Sequence, residues 1–266
     1  MPTSDETKYA NKVFMAGALP LMKIIANEDP KLSKTFKRKK LNAVYQVSAM
    51  DGKEKHAVHF VVENGIWDVF QGEYKGPNKL AAELAFSSME KMNGFMKSDM
   101  KQLPSFKIKS LGKFTQFMKV LLKMSSLLTA DKPPKDVETQ RFLTKLYFCL
   151  LSTGISALNK MGHPEISKWV KESPDRTYQW TIVGDPDTSA YLRICEGKSK
   201  AGKGLYDRSD PFFTMAFDCP ESALLILMEI GDMFDMTANR QLIMKGGPEF
   251  GVQLGDHMTT VGHLAK

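Results

Sequence analysis

Residues 29–37 read DPKLSKTFK, and residues 163–171 read HPEISKWVK. The two stretches align without a gap at a spacing of 134 residues, so that Pro30 matches Pro164 and Lys34 matches Lys168. Tyr45–Gln46 then recurs as Tyr178–Gln179. Because recurrence at a fixed period marks repeated structural units, the sequence predicts two copies of one unit of about 130 residues, an ordinary domain size.

The same order of predicted elements follows both stretches. Three strands come first, then a fourth strand and an apolar helix, and each copy closes with a last strand that leads into a further helix. The closing stretches are Phe106-KIKSLGKFTQF in the first copy and Leu242-IMKGGPEFGVQ in the second. Short antiparallel strands followed by separate helices are typical of an α+β fold.

Local patterns support these assignments. Tyr178, Trp180 and Ile182 are separated by single polar residues, which is the period of a half-buried strand. Asn64–Gly65 is a strong tight-turn signal because both residues tolerate a positive φ. Pro220 stands where a helix is expected to begin, a position that favours proline.

The boundary between the two copies is expected near Asp131-KPPKDVE. Pro133 and Pro134 end the preceding helix, since proline lacks the amide hydrogen and disfavours helical geometry in the residue before it. A new helix is predicted from about Thr139. The predicted domains are therefore residues 1–130 and 131–266.

Composition indicates a globular protein. Hydrophobic residues make up 42% of the 266 residues and charged residues 25%, which is the usual balance of a soluble domain. The longest apolar run, residues 146–157, is shorter than the roughly 20 residues that span a bilayer. Only three cysteines are present, which favours a reducing compartment. We therefore expect the protein to be cytoplasmic.

The positive charge is concentrated in the first copy. The net charge is +7 overall, made up of +9 in residues 1–130 and −2 in residues 131–266. Residues 91–123 contain eight lysines and a single acid, Asp99. A solvated face would explain this pattern, and so would docking on an anionic membrane, because cations near such a surface contribute about 1 kcal/mol each. Nucleic acid is not an expected partner, since no recognised binding motif accompanies the charge.

Several stretches carry apolar residues beyond what a simple surface helix needs. Ala223-LLILMEIGDMF is apolar almost all round, which predicts a helix with contacts on more than one face. Such stripes are either ordinary core or the lining of a cavity for an alkyl chain or sterol. The 17 methionines favour the cavity slightly, because flexible methionine suits varied apolar guests.

Other chemical signals are weak. Gly197-KSKAGKG imitates a phosphate-binding loop but ends in Gly204 where Ser or Thr is required, and it is predicted to join two strands. The five histidines form no zinc spacing with the cysteines, and His56 and His59 are expected on opposite faces of one strand. No metal, cofactor or catalytic residue is predicted.

The order of elements and the closing motif together resemble the lipid-binding domain of the sterol carrier protein 2 family. That motif runs approximately L-x-I-K-G, then seven residues of any type, then Leu, and Lys245, Gly246 and Leu254 fit it in the second copy. In the first copy Ile108 and Lys109 fit, but Ser110 stands where glycine is expected. The resemblance implies two tandem domains, each a five-stranded, mostly antiparallel sheet covered by helices.

The resemblance also implies non-catalytic binding and transfer of a lipid in a tunnel between sheet and helices. The ligand would be a fatty acid, an acyl-CoA, a sterol-like molecule or a phospholipid. From the charge pattern, the basic face of the first domain is expected to contact an anionic membrane or the phosphates of an acyl-CoA. The second copy ends soon after its last helix begins, so we expect its tunnel to be covered less fully. From their places on apolar helices, the expected lining residues are Met89, Met92, Phe95, Met96, Phe114, Phe117, Met118, Leu121, Leu122, Leu224, Leu227, Met228, Phe234, Phe250 and Leu254.

Two other functions stay open at the level of sequence. The chain could be an accessory scaffold that presents lipid-like or quinone-like substrates to partner enzymes. It could also be an enzyme acting on a lipid thioester, although no catalytic triad or carboxylate pair stands out. The sequence does not define the ligand or the oligomeric state.

Overall fold

A computed structural model describes residues 3–265. The chain divides into two compact units, the first comprising the residues up to Ser126 together with Leu264 and Ala265, and the second running from Leu127 to His263. The division lies within a long helix that ends at Leu128.

The first unit begins with helices and then alternates strands with helices. Its elements are α1 (Asp5–Val13), a π-helical segment (Phe14–Ala18), α2 (Leu21–Glu28), α3 (Pro30–Arg38), β1 (Ala43–Asp51), β2 (Glu54–Glu63), β3 (Ile66–Gln71), β4 (Ala82–Phe86), α4 (Met89–Met96), β5 (Ser105–Ile108) and α5 (Leu111–Leu128). The sequence explains the start of α3, because the Asp29 carboxylate accepts hydrogen bonds from the backbone N–H groups of Lys31 and Leu32, both at 3.0 Å. Pro30 occupies the first helical position.

From its second helix onward the second unit has the same order of elements, except for one additional helix, α9, before its last strand. Its elements are α6 (Val137–Met161), α7 (Pro164–Glu172), β6 (Arg176–Ile182), β7 (Asp185–Cys195), β8 (Lys198–Lys203), β9 (Phe213–Phe217), α8 (Pro220–Leu227), α9 (Met233–Ala238), β10 (Leu242–Lys245) and α10 (Pro248–Ala265). The carboxylate of Asp136 caps α6 by accepting the backbone N–H of Thr139 at 2.8 Å.

Both sheets have five strands in the same spatial order. The first is ordered β3-β2-β1-β4-β5 and the second β8-β7-β6-β9-β10. The central pairs β1·β4 and β6·β9 are parallel, and the remaining pairs are antiparallel. The predicted α+β fold class, with two five-stranded, mostly antiparallel sheets covered by helices, is confirmed.

One face of each sheet carries the hydrophobic core. In the first unit Phe117 of α5 stacks on Tyr45 of β1, with ring centroids 4.9 Å apart, and Trp67 of β3 stacks on Tyr45 at 5.2 Å. All three side chains are fully buried. In the second unit Trp180 of β6 is fully buried, and its Nε1 lies 3.3 Å from the Sδ of Met258 in α10. We call this side the helix-covered face and the opposite side the outer face.

Several local predictions are confirmed. Asn64 and Gly65 form the tight turn between β2 and β3, with φ values of 50° and 83°. The stretch beginning at Gly197 is a hairpin turn followed by strand β8 rather than the opening of a helix. His56 and His59 stand opposite Ala49 and Gln46 of β1, three residues apart along each strand, and so point to opposite faces of the sheet.

Three sequence expectations are wrong in detail. The apolar stretch that begins at Ala223 does not form one helix, because α8 ends at Leu227 and α9 begins only at Met233. The last helix of the second unit is not short: α10 has 18 residues, as many as α5. The closing motifs are also offset, since Lys107 and not Lys109 stands opposite the fourth strand at the place that Lys245 takes in the second sheet.

Candidate ligand-binding surfaces

The residues predicted to line a tunnel in the first unit differ widely in burial. Met89, Met92, Phe117 and Leu121 are buried in the core, whereas Leu122 is 61% exposed and faces away from it. The half-buried members of the set are Phe95, Met96, Phe114 and Met118. The structure therefore brings most of the set to the helix-covered face but leaves Leu122 outside it, because Leu122 follows Leu121 by one residue on the helix and is rotated about 100° from it.

The predicted set in the second unit divides in the same way. Leu224 and Leu254 are fully buried, and Leu227, Met228 and Phe250 are half-buried. Phe234 is 82% exposed, since the break after α8 carries it onto the separate helix α9. The second sheet carries two grooves on its outer face, and none of the fifteen predicted residues lines either of them.

The outer face of the first sheet holds a buried carboxylate. Glu83 of β4 lies between Gln46 of β1 and Lys107 of β5, which are its direct neighbours in the strand registers. Its Oε1 accepts hydrogen bonds from Gln46 Nε2 and from the Ser48 hydroxyl, both at 2.8 Å, and its Oε2 accepts one from Lys107 Nζ at 3.1 Å. Lys55 Nζ is 2.8 Å from Oε1.

The electrostatic balance at Glu83 favours its charged form. Burial by itself raises the pKa of this carboxyl, but hydrogen bonds from Lys55, Ser48, Gln46 and Lys107 outweigh burial and lower the pKa to about 2. A buried charge with this number of partners is stable only when all of the partners are present. The centre of the first outer face is therefore filled by the protein's own carboxylate.

The loop after the third strand covers each outer face in the same manner. In the first unit the backbone N–H of Tyr74 donates to Gln46 Oε1 at 2.8 Å, and in the second the backbone N–H of Tyr206 donates to Gln179 Oε1 at 3.0 Å. The ring of each tyrosine packs edge-on against an aromatic side chain of the second strand, His59 or Tyr191. Thus the same hydrogen bond between a loop tyrosine and a strand glutamine occurs on both outer faces, but different side chains lie beside the glutamine.

The outer face of the second sheet carries an open groove of about 580 Å³, which we call the outer groove. Two rows of residues across β6, β9 and β10 form its floor: Gln179, Thr214 and Lys245 in one row, and Thr181, Ala216 and Ile243 in the next. Its walls are formed by Val183, Gly184, Asp185 and Pro186 on one side and by Leu205, Asp210 and Pro211 on the other. Volumes of about 300 to 1,000 Å³ are typical of small-molecule sites.

One wall of the outer groove is fixed by an ion pair. Arg141 of α6 donates to both carboxylate oxygens of Asp185, from Nε at 2.5 Å and from Nη2 at 2.7 Å. The hydroxyl of Thr188 donates to the same carboxylate at 2.7 Å. The hydrogen bond from Arg141 is the main cause that lowers the pKa of Asp185 to about 2. Asp185 is therefore an occupied structural anion rather than an available base.

A second, smaller groove of about 340 Å³ lies along the same face. It is lined by Asp175, Thr177, Tyr206, Ser209, Asp210 and Phe212. Arg193 pairs with Asp175 through both carboxylate oxygens. With two aspartates, a serine and a threonine along it, this groove is polar and lacks the apolar walls of the outer groove.

An exposed edge of the first unit combines apolar and basic side chains, and we call it the basic apolar edge. It consists of Leu103, Phe106, Ile108 and Leu111 together with Lys101, Lys107, Lys109 and Lys113, as the burial of this segment shows. β5 is the last strand of its sheet, so Phe106 and Ile108 alternate along an open edge with Lys107 and Lys109. Leu111, at 70% exposure, is the most exposed of the four apolar members.

Sequence reasoning missed the polar centres of both outer faces. The recurrence of glutamine at 46 and 179 was the available signal, but the sequence alone does not show that Glu83 or Thr214 lies beside these glutamines.

Within residues 3–265, no helix is both long and apolar enough to cross a membrane.

Comparison with known proteins gives partial structural similarity only. No protein-family profile and no curated protein matches the sequence. Among solved structures, the UbiJ-SCP2 ubiquinone synthesis protein overlaps 44% of this chain and 96% of its own, with 15% identity and a TM-score of 0.29. A conserved hypothetical protein from Thermus thermophilus, described as possibly a sterol carrier protein, overlaps 43% of this chain and 82% of its own, with 14% identity and a TM-score of 0.29.

A third solved structure, the inverting sec-alkylsulfatase Pisa1 from Pseudomonas sp., overlaps 57% of this chain and 30% of its own, with 12% identity and a TM-score of 0.25. At these TM-scores the overlaps assign neither a family nor an activity to this chain.

Proposed function

We propose that this chain binds lipids without catalysing a reaction on them, and that its first unit docks on anionic membranes through the basic apolar edge. The observation that carries the proposal is the composition of that edge: exposed apolar side chains alternate with lysines on one open strand and the start of the next helix. The expected location is the cytoplasm. We also infer that the two units arose by duplication of one lipid-binding domain, since their strand orders agree and their elements correspond apart from the opening helices and α9.

The charges and apolar groups of the edge suit the boundary of a membrane. Each lysine near an anionic surface contributes about 1 kcal/mol, and exposed apolar side chains gain about 25 cal/mol for each Å² that leaves water. Residues 100–130 contain no Asp or Glu, so no acidic side chain of this segment opposes the approach. Neither contribution alone gives stable binding, and the two together are typical of peripheral membrane proteins.

The basic apolar edge is continuous with the predicted tunnel lining. The ring of Phe106 on β5 packs edge-on against that of Phe114 on α5, with centroids 5.8 Å apart. Phe114 is half-buried and belongs to the predicted lining. A lipid that enters from the membrane at Phe106 would therefore meet Phe114 next, and the half-buried side chains of Phe95, Met96 and Met118 would move to admit it. We propose that a lipid is transferred along this path between the membrane and the helix-covered face.

Vesicle co-sedimentation tests membrane docking. Wild-type protein should sediment with vesicles that contain phosphatidylglycerol and stay in solution with phosphatidylcholine alone. The double variant Leu103→Ser, Leu111→Ser should lose binding, because both side chains are already exposed and their replacement spares the core. Val137→Ser is the matched control, since Val137 is similarly exposed but lies in the second unit. Equal binding of the double variant and wild type would contradict the proposal.

Native mass spectrometry of protein purified from cells tests lipid binding itself. Lipid adducts that disappear after extraction, together with transfer of a fluorescent fatty acid between vesicles, are the expected result. Protein that carries no lipid and transfers none would refute the carrier function.

A second candidate is the accessory scaffold that presents lipid-like or quinone-like substrates to enzymes. One observation favours it: α9 exposes Phe234 beside Asp232 and Asp235, and an acidic apolar surface suits a protein partner better than an anionic membrane. Specific co-purification of an enzyme that is lost on Phe234→Ser, without transfer of free lipid, would support the scaffold.

A further inference from the structure

The central rows of the two outer faces are equivalent except at one position. Gln46, Glu83 and Lys107 are direct neighbours across β1, β4 and β5. Gln179, Thr214 and Lys245 are direct neighbours across β6, β9 and β10 in the same arrangement. The glutamine and the lysine are therefore retained, and the carboxylate between them is replaced by a threonine.

The glutamine amide is oriented in the same way in both rows. In each unit its Oε1 accepts the backbone N–H of a tyrosine, Tyr74 or Tyr206. Since a backbone N–H can only donate, this bond identifies the oxygen and leaves Nε2 as the donor directed elsewhere. In the first unit Gln46 Nε2 donates to the Glu83 carboxylate at 2.8 Å. In the second unit Gln179 Nε2 makes no hydrogen bond within residues 3–265.

The lysine of the second row also lacks its anion. Lys107 lies 3.1 Å from the Glu83 carboxylate, whereas Lys245 has no ion pair within the described part of the chain. Both Lys245 and Thr214 line the outer groove. Two donors and a hydroxyl in the second unit thus surround open space at the position that a carboxylate fills in the first.

We propose that the outer groove of the second unit binds a monocarboxylate amphiphile whose carboxylate takes the position that Glu83 occupies in the first unit. Gln179 Nε2, the Thr214 hydroxyl and Lys245 Nζ donate to the carboxylate. The apolar part of the ligand lies over the next row, on Ala216 and Ile243, and between the walls at Val183 and Leu205. A short or medium alkyl chain fits a groove of about 580 Å³.

Neither of the two aspartates that line the groove occupies the position proposed for the ligand's carboxylate. The Asp185 carboxylate is held on the wall by both nitrogens of the Arg141 guanidinium. Asp210 lies on the opposite wall and lines both grooves, so it repels an anion from that side and directs the carboxylate toward Lys245. A cationic ligand would meet Lys245 and is disfavoured there by like-charge repulsion.

This inference extends the proposed function by naming a ligand class, but it concerns a different unit and a different face from the basic apolar edge. The two can fail separately. A soluble ligand without vesicles tests the groove, and the variant Leu103→Ser, Leu111→Ser should bind that ligand as wild type does.

Titration of the full chain with octanoate, followed by amide NMR, tests the groove. Octanoate should shift the amide signals of Thr214, Ala216 and Lys245, and octanol, which lacks the carboxylate, should bind at least about tenfold more weakly. Lys245→Gln should weaken octanoate binding by about tenfold, the low end for loss of a hydrogen bond to a charged group. Lys200→Gln, a lysine of the same sheet outside the groove, should leave affinity unchanged.

Thr214→Glu places in the second unit the carboxylate that the first unit already has. This variant should not bind octanoate, provided that its amide NMR spectrum is that of a folded protein. If that variant does not fold, Lys245→Gln against Lys200→Gln decides the matter alone. Equal affinity for octanoate and octanol, equal affinity of Lys245→Gln and wild type, or no shift at all in the groove signals would each overturn the proposal.

Discussion

Lys107 Nζ and Glu83 Oε2 lie 3.1 Å apart on the outer face of the first sheet, where Glu83 is almost fully buried and Lys107 remains largely exposed. The Lys107 ammonium therefore compensates the buried Glu83 charge, although the lysine side chain as a whole remains largely exposed. This ion pair occupies the centre of the outer face in the first unit. In the second unit a threonine, Thr214, replaces the glutamate, and the two outer faces therefore differ in charge at this position.

Glu83 should make the stability of the first unit depend on pH. Its pKa is about 2 in the folded chain, against 4.5 for the free side chain. A carboxyl whose folded pKa is depressed stabilises the fold above its unfolded pKa, and this contribution is lost as the pH falls from about 4.5 toward 2. Glu83→Gln should reduce the free energy of unfolding by about 3 kcal/mol at neutral pH.

Urea unfolding of wild type and Glu83→Gln from neutral pH down to about pH 2 measures this difference, which should shrink toward zero at the acidic end. Glu90→Gln, on the exposed side of α4, is the control and should change stability little. If Glu83→Gln lowers the free energy of unfolding by the same amount at all pH values, the loss of stability comes from packing and not from ionisation.

Phe117 should be a principal contributor to the core of the first unit. It is fully buried and stacks on Tyr45 and Trp67. Phe117→Ala should lower the free energy of unfolding by about 3 to 5 kcal/mol, as expected for loss of a buried aromatic side chain. Leu122→Ala on the same helix should cost less than about 1 kcal/mol, because Leu122 is mostly exposed. Chemical denaturation followed by tryptophan fluorescence gives both values, and similar costs for the two variants would contradict the packing.

Gly65 should be less replaceable than Gly52, although both have a positive φ, of 83° and 58° respectively. A Cβ at Gly65 would lie 2.4 Å from the backbone carbonyl carbon of Phe36, whereas a Cβ at Gly52 meets no atom within 4 Å. Gly52→Ala should therefore cost about 1 kcal/mol for the left-handed conformation alone. Gly65→Ala should cost about 1 to 3 kcal/mol more, because the helix α3 must shift. Thermal or urea unfolding of the two variants checks the order, and an equal cost would show that the contact is easily relieved.

Membrane binding by the basic apolar edge should weaken with salt. Screening shortens the range of charge interactions from about 10 Å at 0.1 M to about 3 Å at 1 M ionic strength. The double variant Lys109→Gln, Lys113→Gln should bind phosphatidylglycerol vesicles about thirtyfold more weakly, from a loss of roughly 1 kcal/mol for each lysine. Lys198→Gln, Lys200→Gln in the second unit is the matched control and should bind as wild type does. If vesicle binding changes neither with ionic strength nor with the lysine substitutions, the attraction comes from apolar contacts alone.

Several elements of the fold follow from local sequence. The alternation at Tyr178, Trp180 and Ile182, the turn at Asn64–Gly65 and the helix start at Pro220 all occur as predicted. The helix expected through residues 223–234 fails because Asp232 caps a new helix, its carboxylate accepting the backbone N–H groups of Phe234 and Asp235. An apolar pattern indicates burial but does not by itself show that the chain stays in one helix.

The closing motif was misaligned for a related reason. Lys109 matches Lys245 letter by letter, but the strand register places Lys107 beside Glu83 and Lys245 beside Thr214. Pairing between strands is set by the neighbouring strand and by burial of one face, so two similar stretches can align by letters at a spacing that their sheets do not use.

By itself the sequence determined the α+β class and the basic character of the first half, because each of these depends on periodicity, composition or turn chemistry along the chain. Only the tertiary structure decided that Gln46, Glu83 and Lys107 meet in one row and that Thr214 leaves the equivalent row open. These residues lie far apart in sequence, and the register of parallel and antiparallel strands, a non-local property, brings them together.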